Sequence, residues 1–309
     1  MDGSTRPNPE PIYRWPDDYI ALDNGRVLVR PDCVDGFRES GWDTLAGLMQ
    51  ATNVEIVRSL TSRDNCKVQV PTADGSVVGY LKRHRVRSLR RWYLESSRRR
   101  AAPSPGMAEA GAVGWCQAAG VPTVNVIAAG QAKGNRSWQS DSFFISEALE
   151  NCQPANNHWF QFEQRHSPPD GFASSVQTRH EVLQAVAKTS RLFHEAGLSH
   201  YDFYLEHFFV TPGPTPTAFL LDLQRVEHHR HAPTRWRAVN KDLGQFLSSC
   251  SRYRFSEDER SEWSRWYFAD ESGPRGLTVG DSLRVRMASG RLQLRRFRRK
   301  LQKRPNRAA

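Results

Sequence analysis

An α+β fold, with short antiparallel strands early and longer helices late, is what the apolar patterning of this 309-residue chain predicts. Three observations carry that expectation. Val54-Glu55-Ile56-Val57-Arg58, Cys66 to Val70 and Ser76 to His84 read as strands, the last two separated by an Asp74-Gly75 turn. Val182, Val186, Phe193 and Ala196 share one helical face until Gly197 ends the run, and Thr178-x-x-Glu181 makes a capping box in front of it. Trp236 to Ser249 reads as a further helix with Leu243, Phe246 and Leu247 on its inner side.

In chain order, a polar, Pro-rich stretch to about Asp18 reads as a poorly ordered arm. Short strands follow between Ile20 and Val34 around an Asn24-Gly25 turn, then a short helix from Gly41 to Met49. Ser59 to Asn65 is a polar loop between the first two of the three strands, and the third carries Lys82 near its end. The segment Arg87 to Pro105 interleaves arginines with Trp92 and Tyr93, which suits either a phosphorylated sugar or a snorkelling helix face. A helix from about Met107 to Ala119 stops at Gly120 and Val121-Pro122. Ser140 to Leu149 is a short apolar strand, and Asn151 to Asp170 is a polar insertion without periodicity. Trp263, Trp266, Tyr267 and Phe268 read as large core side chains.

Composition narrows the function classes. Five scattered cysteines without a CxxC pair argue against a disulfide framework and a structural zinc site. The N-terminal stretch lacks a basic-then-apolar signal, and no apolar run is long enough to cross a bilayer, so a cytoplasmic compartment is the expectation. The formal charge of +11 is concentrated: from Glu271 onward twelve Lys/Arg stand against two acids, a surplus of +10. A solvated basic tail accounts for this. So does a peripheral contact with an anionic membrane, because Leu294, Phe297 and Leu301 share one face of a cationic helix. No nucleic-acid recognition motif is present, so no specific nucleic-acid partner is expected.

The chemistry centres on His194 to Arg225. Asp202 lies in a polar loop, His200-Tyr201-Asp202, just after the helix-ending Gly197. Asp222 ends the apolar run Ala218-Phe219-Leu220-Leu221, which pairs with Phe208-Phe209-Val210 across a Pro212-Gly213-Pro214 turn. Two carboxylates brought to one edge of a cleft suit phosphoryl transfer: one orients and deprotonates the attacking hydroxyl, and the other holds the metal on the nucleotide phosphates.

The order His-x-Asp, a metal ligand five residues on, then a strand-ending Asp resembles the protein-kinase-like superfamily. His200-Tyr201-Asp202-Phe203-Tyr204-Leu205-Glu206-His207-Phe208 and Leu221-Asp222-Leu223-Gln224-Arg225 are similar, more closely, to the lipopolysaccharide core kinases, across roughly Val54 to Tyr267. The resemblance implies a two-lobed fold: a small antiparallel-sheet lobe over 51–150 and a larger, mainly helical lobe over 151–270. These are flanked by an N-terminal extension (1–50) and the basic tail (271–309). It implies ATP and Mg²⁺ as cofactors and a sugar or glycolipid acceptor, a heptose or Kdo-like residue of the inner core, at the inner face of the bacterial inner membrane. Asp202 would be the base beside His200, and Asp222 and His207 would face the metal. Lys82 would pair with the α- and β-phosphates, oriented by Glu109, while Glu147, Ala148 and Leu149 would offer backbone to adenine. Asp242 would brace the catalytic loop from behind.

Each of these residues also has a plainer reading. Lys82 precedes Arg83, Arg85 and Arg87 and suits a basic surface; Glu109 suits a helix N-terminus; Lys241-Asp242 suits a surface pair. The phosphate loop Ser59 to Asn65 lacks glycine, which leaves Arg63 as a charged substitute. His207 stands where ordinary kinases place asparagine, an oxygen ligand better suited to magnesium. These departures leave a pseudokinase-like binding module as an alternative, alongside a kinase acting on another glycan, small molecule or protein. The histidines His194, His200, His207, His228, His229 and His231 also raise a metal hydrolase, against which their spacing speaks.

Overall fold

A seven-stranded antiparallel sheet organises the first part of the computed structural model, which describes residues 18–85, 104–132, 141–160 and 176–270 together with 273, 274 and 278. The strands are β1 (Ile20–Leu22), β2 (Val27–Val29), β3 (Glu55–Leu60), β4 (Arg63–Thr72), β5 (Gly75–His84), β6 (Val126–Gln131) and β7 (Ser142–Glu147). Their spatial order is β1-β2-β6-β7-β5-β4-β3. This sheet belongs to one compact unit, residues 1–118 and 124–148; the other unit is 119–123 and 149–309.

Alternation builds the first unit. On β4, Cys66, Val68 and Val70 are buried while Lys67 and Gln69 face out. Leu81 of β5 pairs with Cys66 in register, and Leu81 joins the same apolar cluster. That cluster is closed by helices α1 (Val34–Glu39) and α2 (Leu45–Gln50), which bring Phe37, Leu45 and Leu48, with Trp42 edge-on to Phe37 at 5.9 Å. The N-terminal stretch after Asp18 is therefore part of the sheet and its core. The α1 helix is absent from the sequence expectations, and α2 starts at Leu45 because Thr44 caps it, its side chain accepting from the Gly47 amide at 3.1 Å.

By the same alternation Lys82 points to the face opposite Leu81. Helix α3 (Pro105–Ala118) packs on β5, β6 and β7. Its approach requires Gly106, since a Cβ there would lie 2.3 Å from the Phe143 carbonyl oxygen. Ser59 to Asn65 corrects the expected loop: β3 runs through Leu60 and β4 begins at Arg63, leaving a two-residue turn at Thr61-Ser62. Neither turn residue takes a positive φ, so this hairpin closes without glycine. The Ser59 hydroxyl donates to Asp64 at 2.7 Å and Arg85 pairs with the other Asp64 oxygen, which ties the tip together.

The second unit is mainly helical: α4 (Asn157–Phe160), α5 (Val176–Glu195), α6 (Ala232–Arg252) and α7 (Glu257–Tyr267). Helix α5 already runs at Val176, so Thr178 lies inside it and does not cap it. Reciprocal capping occurs instead at Ser256 and Glu259, ahead of α7. Phe246, Trp263 and Tyr267 stack in sequence, with ring centroids 4.3 and 4.9 Å apart, and join α6 to α7. Strands β10 (Phe208–Val210) and β11 (Ala218–Leu220) form the expected hairpin, with β8 (Gln153–Pro154) on its other side. Strand β9 (Leu198–Ser199), which pairs with β12 (Glu227–His228), leads from α5 into the polar loop. The arginine-rich segment from Arg87 as far as Pro103, the insertion beyond Phe160 and the basic tail lie outside the described residues. Among the described residues, no helix is long and apolar enough to cross a membrane.

Candidate active site

Helix α5 ends at Gly197, whose φ of +78° turns the chain into β9. The loop that follows is braced along one face of α6. Asp242, which has no exposed surface, accepts from the His200 amide at 2.6 Å and from the Tyr201 amide at 2.9 Å. One turn on, Gln245 accepts from the Phe203 amide at 3.2 Å and donates to the Tyr201 carbonyl at 2.7 Å. Ser249 accepts from the Leu205 amide at 3.1 Å, and Lys241 donates to the Tyr201 carbonyl at 2.9 Å. Positions 241, 242, 245 and 249 share a helix face, so one rigid element sets the backbone of His200, Tyr201, Phe203 and Leu205. These bonds hold Tyr201 at φ +63°, unusual for a bulky residue, with Asp202 next in line.

His200 is fully buried, and burial holds its pKa below the ordinary histidine value. Its Nε2 lies 2.9 Å from the Leu221 carbonyl, which can only accept, so Nε2 carries the proton. Its Nδ1 then accepts from the Asp202 amide at 3.3 Å. A neutral imidazole thereby links the Asp202 loop to the residue before Asp222. His207 stacks on His200 with centroids 5.4 Å apart. Its Nδ1 lies 2.7 Å from the Asp202 carbonyl, which can only accept, so Nδ1 donates there, and Nε2 lies 3.9 Å from Asp222 Oδ2. Asp222 itself sits in the left-handed region at φ +60°, a conformation that aspartate tolerates better than most residues. A three-residue 3₁₀ turn, Leu223–Arg225, follows, and from it Arg225 Nη1 reaches both oxygens of Asp202, at 2.9 and 2.8 Å.

In the first unit, Lys82 Nζ donates to Glu109 Oε1 at 2.6 Å, across the sheet-facing side of α3. Both side chains are largely buried, at 16% and 3% exposure, so the pair is well shielded from water. The expected backbone contacts at the end of β7 look different from the sequence reading. The Glu147 amide donates to Asn125 at 2.9 Å and the Ala148 amide to Val78 at 2.8 Å. Both of these amides are therefore already engaged within the chain. The Glu147 carboxylate accepts from Arg30 and Asn125, each at 3.2 Å.

Asp222 would supply the hard oxygen that a magnesium ion prefers, whereas the His207 imidazole is a poorer magnesium ligand; in such sites the remaining ligands come from phosphate and water. Among the described residues, His, Cys, Asp and Glu form no group of three able to hold a metal by themselves. The metal-hydrolase alternative therefore lacks a ligand set among them. Two groups are missing from the sequence expectations. Gln245 and Ser249 are polar positions on a buried helix face, a signal open to detection. Arg225 enters the sequence reading only as part of a motif.

A strand lysine paired with a helix glutamate, a His-x-Asp loop and a buried helix aspartate bracing that loop define a kinase-like α+β fold. The model of the lipopolysaccharide kinase (Kdo/WaaP) family matches residues 49–267, and the chain belongs to that family. It is 27% identical over 155 residues to the lipopolysaccharide core heptose(I) kinase WaaP of Pseudomonas aeruginosa, a match covering 48% of this chain and 54% of that protein. The chain thus spans about half the length of this curated relative. A solved structure of WaaP in complex with acyl carrier protein has the same fold, with a TM-score of 0.56 and 21% identity. It covers 79% of this chain and 88% of its own.

Proposed function

We propose that the chain is an ATP-dependent kinase that transfers the γ-phosphoryl group to a sugar hydroxyl of the lipopolysaccharide inner core, a heptose or Kdo-like acceptor. The observation that carries this reading is the single imidazole, His200, tying Asp202 to the strand end that bears Asp222. Asp202 takes the proton of the attacking hydroxyl, the step a positioned carboxylate can assist. His200 has both ring nitrogens engaged with backbone, so its part is to position Asp202. Asp242, Gln245 and Ser249 fix the loop so that the carboxylate need not reorganise during transfer. Asp222, with His207 beside it, would hold the magnesium that neutralises charge on the β- and γ-phosphates. Lys82, oriented by Glu109, pairs with the α- and β-phosphates.

Family membership and the likeness to a curated heptose kinase support this choice of acceptor. A peripheral position at the inner face of the inner membrane, reached through the basic tail, fits a glycolipid acceptor. The solved relative's complex also makes acyl carrier protein a partner to test by co-purification. The deciding experiment is transfer of label from radiolabelled ATP to core glycolipids, with protein acceptors in parallel. Label entering the glycolipid alone supports the reading. Label entering protein alone redirects it to another acceptor, and nucleotide binding without any transfer would identify a binding module.

A further inference from the structure

We infer that Arg225 is a displaceable clamp on the Asp202 carboxylate, released when an anionic group on the acceptor takes the guanidinium. The inference rests on Asp202 being the base, as proposed above. Its starting point is geometric: one nitrogen, Nη1, lies astride both carboxylate oxygens, at 2.9 and 2.8 Å. Guanidinium hydrogens therefore occupy the place where a hydroxyl hydrogen would be received. An incoming acceptor must compete for that place.

The clamp is built to open. Arg225 is 55% and Asp202 35% exposed, and ion pairs this accessible to water contribute little. The backbone beneath is fixed, because Asp222 starts the turn at φ +60° and the Val226 amide closes it on Leu223 at 3.1 Å. Only the Arg225 side chain has to swing. A phosphate or carboxylate on the acceptor offers a guanidinium the paired oxygens it binds best. The chain that follows is basic as well: between Leu223 and Lys241 five Lys/Arg stand against a single acid, Glu227, and Arg230 and Arg237 are exposed.

The consequence is control over a side reaction. Without acceptor, water is the competing nucleophile. Its oxygen bonds to the γ-phosphorus, the bond from that phosphorus to the bridging oxygen breaks, ADP leaves with the electron pair, and Asp202 takes the water proton. A clamped Asp202 resists this, and an anionic acceptor lifts the restraint as it arrives.

The test measures ATP hydrolysis without acceptor in the full chain, for wild type, Arg225→Gln, Arg225→Lys and Asp202→Asn/Arg225→Gln. Sulfate serves as the anion probe, with ionic strength held by chloride. Arg225→Gln should hydrolyse ATP about five-fold faster than wild type, the factor expected for loss of one exposed ion pair. The double variant should lose that gain, and Arg225→Lys, which keeps the charge but not the planar fork, should fall between wild type and Arg225→Gln. Sulfate should speed the wild type and leave Arg225→Gln unchanged, a difference that a merely structural role would not produce. Equal hydrolysis by Arg225→Gln and wild type, or an equal response of both to sulfate, overturns the clamp. Calorimetry with Mg·ATP separates the two levels: failure of every variant to bind nucleotide sinks the kinase reading itself, whereas binding without the Arg225 effects sinks only the clamp.

Discussion

Replacing a carboxylate by an amide at Asp202 and at Asp222 should produce two different defects. Asp202→Asn keeps the shape of the loop but cannot take the proton, so transfer should fall by about 10²–10⁴-fold with Mg·ATP affinity nearly intact. Asp222→Asn should weaken Mg-dependent nucleotide binding as well, and raised magnesium should partly restore it. Calorimetric titration alongside the transfer assay checks both, and exchanged phenotypes would mean that the two roles are misplaced. His207 carries a second prediction. Its Nε2 lies 3.9 Å from Asp222 Oδ2, and imidazole suits manganese better than magnesium. The wild type should therefore prefer Mn²⁺ over Mg²⁺ more strongly than His207→Asn does, as read by loss of the free-Mn²⁺ paramagnetic resonance signal during competition with Mg²⁺. An unchanged ratio would remove His207 from the metal. Asp202, His207 and Asp222 could be singled out in the sequence because the two short stretches that hold them, His200 to Phe208 and Leu221 to Arg225, each follow a recognisable order. Arg225 as a partner of Asp202 could not, since the contact crosses 23 positions and depends on the left-handed turn at Asp222.

The brace along α6 sets the expectation for whole elements. Asp242 receives two backbone amides, so Asp242→Asn would turn an amide NH₂ against one of those donors. Stability should drop by about 2–3 kcal/mol in denaturant unfolding, and transfer should fall more than Mg·ATP binding does. A variant with wild-type stability and transfer would show that the loop holds itself. Another element responds to pH. His158, the second residue of the short α4, shares a 2.9 Å hydrogen bond with Gln153, and burial beside Arg179 keeps its pKa below the ordinary value. Its folded-state pKa is thus the lower one, so the unfolded chain binds the proton more readily. This contribution to stability is present above about pH 6.5 and is lost as pH falls through the unfolded value towards the folded one. His158→Gln should flatten the melting-temperature profile between pH 7 and 5; an unchanged slope would assign the acid sensitivity elsewhere. Strand β4 was readable because alternation is strict there, and β5 because an Asp74-Gly75 turn sets it off from β4. The Thr61-Ser62 turn was not, because polar hairpin ends read as loop, and neither was α1, whose six residues include Gly36 and span under two turns.

For the molecule as a whole, charge and sheet construction point in separate directions. The +10 tail lies outside the described residues, yet its charge predicts behaviour. Deleting Leu283 to Ala309 should weaken binding to anionic glycolipid vesicles, steeply at low salt, and spare ATP turnover on a soluble acceptor. Equal vesicle flotation of the shortened and full chains at low salt would end the membrane role. The division into a sheet-bearing part and a helical part was legible from the order of periodicities. The seven-strand order was not, because pairing of β2 with β6 joins segments about a hundred residues apart.

That last pairing bears on how such a chain can be inherited. The span shared with the family begins at residue 49, yet Phe37, Trp42 and Leu48, all essentially without exposed surface, precede it. In this chain the matched span is therefore smaller than the unit that packs together. A recombination joint placed between Gln50 and Glu55 would strip α1 and α2 from the sheet and uncover the edge of β6. An uncovered strand edge beside an exposed apolar cluster invites aggregation. A relative that lacks residues 18–50 must supply another lid for the same apolar face, so exchanged genes should carry this N-terminal piece and the sheet as one block.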